Sequence, residues 1–110
     1  MRIAILASNF IRLPPEPKFV PFGYSGAPEK IMYIITEKLV KKGHSVYLFA
    51  SGDSLTSAKL ISITKTSTSL DPSIGIGPHI EWEQLLISKC YQMAKEKKFD
   101  IIHCIVQSAI

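Results

Sequence analysis

Six residues in the first third of the chain, Tyr24 to Glu29 (YSGAPE), could form a phosphate-binding turn. A helix N-terminus offers unpaired N–H groups and partial positive charge, and glycine lets a ligand approach the backbone closely. An ordinary junction between loop and helix accounts for the same string. The glycines do not follow the Gly-X-Gly-X-X-Gly spacing, so a standard dinucleotide fingerprint is absent and an NAD enzyme is disfavoured. His103 is the second candidate. Near the C-terminal end of the last predicted strand, its imidazole could serve as a general base or bind a hydroxyl-rich ligand. A hydrogen-bonded structural histidine is the alternative. Asp53 follows the second predicted strand, where an acidic residue can hold a ribose or simply close a turn. Asp100 and His44 read as a turn residue and a helix-end residue. Glu81 and Glu83, two apart on a helix, do not face each other and make no catalytic pair. No Ser-His-Asp arrangement and no P-loop string occurs. His44, His79 and His103 share no metal-ligand spacing, so no metal is expected. Cys90 and Cys104 lie in apolar surroundings and read as buried reduced thiols rather than a disulfide.

The elements that must position these residues follow from the apolar pattern. Arg2 to Ala7 is nearly all apolar, as in a strand buried on both faces of a parallel sheet. Ser8 to Ala27 is a long loop holding Pro14, Pro15, Pro17, Pro21, Gly23 and Gly26, and its length makes it a functional suspect. A helix starts near Pro28, with Ile31, Ile34, Ile35 and Leu39 at helical spacing on one face and Glu37 and Lys41 paired on the other. Gly43 suits the position just past its end. Ser45 to Ala50 is a second strand and Ser51 to Ser54 a turn. Lys59 to Thr64 is a third, less buried strand, and Thr66 to Pro78 a polar loop. A second helix spans His79 to Lys97, with Trp82, Leu86, Cys90 and Met93 or Ala94 along its apolar stripe. Phe99 to Val106 is the last strand.

Right-handed crossovers then place the helices on opposite faces of a parallel sheet ordered 3-2-1-4. This is an α/β, Rossmann-like half of a doubly wound fold, with a ligand crevice where the first and last strands diverge. Ser8, Asn9, the Gly23–Glu29 segment and residues after His103 would line it. Ile101, Ile102, Ile105 and Val106 would form a bare apolar edge, expected to be covered by further chain or by a partner.

At 110 residues the chain suffices for one domain, and 46% hydrophobic against 20% charged residues excludes a disordered segment. The longest apolar run, Ile3 to Ala7, is far short of the ~20 residues that span a bilayer, and no signal peptide is evident. A cytoplasmic protein is expected. The formal charge of +4 arises mostly from Lys38, Lys41, Lys42, Lys95, Lys97 and Lys98. They read as solvated helix ends or as attraction to an anionic membrane surface or phosphorylated ligand. No aromatic interleaving marks a nucleic-acid binder.

Three strings, MRIAILA, YSGAPEKIMYIITEKLVKKGHSVYLFASGDS and FDIIHCIV, resemble in order and spacing the N-terminal domain of the retaining glycosyltransferases of family 4. KKGHSVYLFASGDSLTSAKL is similar to one bacterial and archaeal branch. The resemblance implies a two-domain GT-B fold and transfer of a sugar from a nucleotide-sugar co-substrate to an acceptor. It implies neither metal nor other cofactor. Gly26 and Ala27 match the family's paired glycines near the donor diphosphate, with Glu29 following. His103 matches the first histidine of a strand-end His-X-His, Ile105 standing at the second. Asn9, Phe22 and Tyr24 fall on the acceptor side. Residues 1–110 would then be a partial acceptor-side domain without its donor domain, inactive alone, cytoplasmic or peripheral at a membrane. The alternative is a non-catalytic Rossmann-like binding or assembly subunit that pairs with a partner chain over the last strand.

Overall fold

The computed structural model describes residues 1–15, 27–70 and 79–104. The chain builds β1 (Arg2–Leu6), α1 (Ala27–Lys41), β2 (Ser45–Phe49), β3 (Lys59–Ile61), a short 3-10 turn (Thr68–Leu70), α2 (His79–Lys97) and β4 (Ile101–Cys104). All four strands are parallel and ordered β3-β2-β1-β4. This is the expected α/β, Rossmann-like half-sheet. β1 is central, with Ile5 opposite Leu48 on one side and His103 on the other.

Alternation along the strands divides the core into two layers. Ile3, Ile5, Val46 and Leu48 point to one face and pack with Met32 of α1. Ala4, Leu6, Tyr47 and Phe49 point to the other and pack with Leu86, Ile87 and Cys90 of α2. Phe99 joins the second layer, its ring centroid 5.2 Å from that of Tyr47 and 6.1 Å from that of Phe49. Helices cover both faces, as right-handed crossovers require.

The inward face of α1 differs from the one read in the sequence. Met32 and Thr36 are its buried residues, while Ile31 and Ile34 are 57% and 42% exposed and Ile35 is half-buried. Two features set this rotation. Thr36 satisfies its own hydroxyl by donating to Met32 O at 2.7 Å, so it can be buried at little cost. Glu37 is tied to the β2–β3 loop, accepting from Thr56 Oγ1 at 2.7 Å and from the Ser57 hydroxyl and amide. Burial pushes the Glu37 carboxyl up, but the bonds from Ser57 and Thr56, with Lys41 nearby, outweigh this and hold it below the usual range.

The helix ends use different chemistry. Gly43, at φ +90°, closes α1: its N–H donates to Val40 O and that of His44 to Leu39 O, as a Schellman motif does. Lys98 takes the same place after α2 with φ 52° and a single bond from its N–H to Ala94 O. A side chain in left-handed backbone is strained. Lys98→Gly is expected to stabilise the fold by about 1 kcal/mol, read as a higher urea midpoint at unchanged slope.

The third strand ends at Ile61, short of the predicted Thr64, and β4 starts at Ile101 rather than Phe99. Asp100 is the turn residue expected: it accepts from Arg2 N at 2.7 Å and its own N–H donates to Arg2 O.

Candidate functional site

The carboxyl ends of β1 and β4 lie side by side, which places Ser8 and Asn9 at the point where the chain leaves the sheet. Their surroundings hold a residue that sequence spacing had set aside. Glu83, on α2, is 6% exposed, and its Oε1 accepts from Asn9 N at 2.7 Å and from Ser8 Oγ at 3.1 Å. Ser8 Oγ in turn accepts from Phe10 N at 2.9 Å. Asn9 is fully buried and its amide donates to Trp82 O at 2.7 Å. A buried acceptor is tolerated where strong donors satisfy it, as Asn9 N–H and Ser8 O–H do at Oε1.

Two more segments bind the strap that follows β1, Ser8 to Leu13. Thr68 N–H donates to Asn9 O at 2.8 Å and Ser69 N–H to Phe10 O at 3.2 Å. Leu13 N–H donates to Ser54 Oγ at 3.0 Å, and Leu55 N–H to Leu13 O at 2.7 Å. Phe10, Ile11 and Leu13 are core residues, at most 6% exposed. The start of the Ser8–Ala27 loop is therefore an anchored part of the core. Asn9 Oδ1, Thr68 Oγ1 and Ser69 Oγ are buried there without a hydrogen bond among the described residues.

Asp53 closes the neighbouring turn. It accepts from Ser51 Oγ at 2.6 Å and Ser67 Oγ at 3.3 Å, which is the turn role rather than an open ribose acceptor. Cys90 and Cys104 are free thiols, the first fully buried and the second half-buried. Burial, with the Cys104 thiol beside it, pushes Cys90 up to about 11, so neither its exposure nor its ionisation suits a nucleophile. Among the described residues no group of three or more His, Cys, Asp or Glu is placed to hold a metal ion, and no helix is long and apolar enough to cross a membrane.

The residues named from the sequence thus fall in three settings. His103 stands opposite Ile5 on β4, exposed on the α1 side of the sheet. Asn9 lies beyond the end of the neighbouring strand, buried beneath α2. Ala27 opens α1, exposed, with Glu29 half-buried in its first turn. Gly26, Phe22 and Tyr24 lie outside the described residues. Glu83 was hidden from sequence reasoning because its partners are Ser8 and Asn9, more than seventy residues away. The one available signal was an acidic residue on the stripe side of a helix, one residue after Trp82.

No protein-family model matches the chain, and no curated protein sequence does. The family resemblance rests on the strings quoted above.

Proposed function

We propose that this chain is the acceptor-side Rossmann-like domain, or part of one, of a family-4-like retaining glycosyltransferase. Its co-substrate is a nucleotide sugar and a donor-binding domain must be supplied from elsewhere. The observation that supports this best is the pairing of β1 with β4, which sets an exposed imidazole, His103, on the strand beside the Ser8–Asn9 strap. Ligands of doubly wound sheets bind at such a strand divergence. In this reading His103 contacts the sugar or its acceptor and Phe22 and Tyr24 are assigned to the acceptor side, while Asn9, buried beneath α2, holds the strap behind it instead of touching the ligand. Gly26, Ala27 and Glu29 lie toward the donor diphosphate, where positive helix-end charge stabilises the departing phosphate. The reading carries a cytoplasmic location, with contact to a membrane surface through the lysine clusters.

Isothermal titration with nucleotide sugars and with simple sugar acceptors tests it. The chain alone is expected to bind acceptor sugars and to transfer none. His103→Ala should weaken that binding about tenfold, as loss of one hydrogen-bonding group does, with the circular dichroism spectrum unchanged. Turnover by the pure chain, or binding indifferent to His103, rules the assignment out.

A second reading, a non-catalytic assembly subunit, is favoured by one observation. Ile101, on a strand paired on one side among the described residues, is 45% exposed. Concentration-dependent sedimentation with no sugar binding supports that reading instead.

A further inference from the structure

Among the described residues, α1 is the one helix packed on its side of the sheet. Glu37 is tied to Thr56 and Ser57, just ahead of β3, so the Glu37 flank of α1 faces the β3 edge. At about 100° per residue, Ile31 and Ile35 lie on the opposite flank, toward β4, and Ile34 on the crest between. Ile31 and Ile34 are 57% and 42% exposed. On the sheet below, Ile102 and Cys104 turn into the α2 layer, so Ile101 and His103 point to the α1 side, both exposed. Among the described residues, the β4-side flank of α1, with Ile31 and Ile35, and the α1-side face of β4, with Ile101 and His103, thus bound a groove along the helix.

We infer that this groove is a docking site for an amphipathic helix of a partner protein, its apolar stripe flanked by carboxylates. The inference goes beyond the sugar-transfer reading and does not depend on it. Helices pack about 8–10 Å apart, the width of two strands spaced about 4.8 Å, so one further helix fits beside α1 over β4. Charge selects which helix. Lys38 and Lys42, both exposed, fall on the same flank as Ile31 and Ile35. No acidic side chain shares that flank of α1. A second copy of this chain would set lysine against lysine; a helix bearing glutamates beside its leucines complements the rim.

The test uses two labelled helical peptides with the same leucine stripe, one flanked by Glu and one by Lys, titrated into the full chain by fluorescence anisotropy. The Glu-flanked peptide is expected to bind saturably, at least about tenfold tighter than its Lys-flanked twin, and to weaken with added salt. The double change Ile31→Ser with Ile34→Ser lies on the surface and should leave the dichroism unaltered while reducing affinity about tenfold. Binding should also shift the His103 ring proton resonances, a readout independent of the variant. Absence of saturable binding, equal binding of the two peptides, or unmoved His103 resonances overturns the proposal. So does self-association that the double variant abolishes, which would make a second copy the occupant.

Discussion

Glu83→Ala is expected to destabilise the chain by about 3 kcal/mol, because it strips a buried amide and a part-buried hydroxyl of their shared acceptor at once. Asn9 N–H and Ser8 O–H both donate to Oε1, the first in a fully buried setting and the second in a part-buried one. A typical domain has only ~5–15 kcal/mol of stability in total, so this loss should be plain in urea denaturation. Glu83→Gln retains an acceptor oxygen at the same reach and should cost about 1 kcal/mol. Glu81→Ala, on the exposed side of the same helix, should stay within about 0.5 kcal/mol. The ordering of these three variants is the informative quantity. If Glu83→Ala and Glu81→Ala unfold alike, the strap after β1 is held by its other bonds and Glu83 is not its anchor.

Glu83 also marks the boundary of what the sequence discloses. Element type and strand order were legible, because apolar runs, a helix-closing Gly43 and the handedness of crossovers act locally or by general rule. The rotation of α1 was not. That helix carries two apolar stripes, Ile31-Ile34-Ile35 and Met32-Tyr33-Leu39-Val40, and periodicity cannot choose between them. The choice was made by Thr36, apolar in effect once its hydroxyl bonds Met32 O, and by Glu37, whose partners lie about twenty residues on. The candidate site divides the same way. His103 could be placed on an outer strand from order alone, but whether Asn9 faced a crevice or a helix depended on α2 meeting the end of β1. Such long-range pairs leave no trace in local spacing.

Gly52 supplies the second large effect, and it separates two reasons for a glycine. A Cβ at Gly52 would lie 2.5 Å from Thr64 O and 2.8 Å from Lys65 O, both backbone atoms that cannot swing away. Its own N–H donates to Thr64 O at 2.8 Å, so the two segments are held at contact. Gly52→Ala must force them apart, straining the Asp53 bond to Ser67 and then the bonds from Thr68 and Ser69 to Asn9 and Phe10. A cost of about 3 kcal/mol is expected, at the upper end for overpacking. Gly43→Ala is the control: nothing lies within 4 Å of its Cβ, but the backbone at φ +90° disfavours a side chain, for about 1–2 kcal/mol. The two should differ in reach as well as size. Amide resonances of Ser8 to Phe10 should move in Gly52→Ala and stay in place in Gly43→Ala. If both variants leave them unmoved, the turn after β2 does not support the end of β1, and the coupling between these loops is refuted.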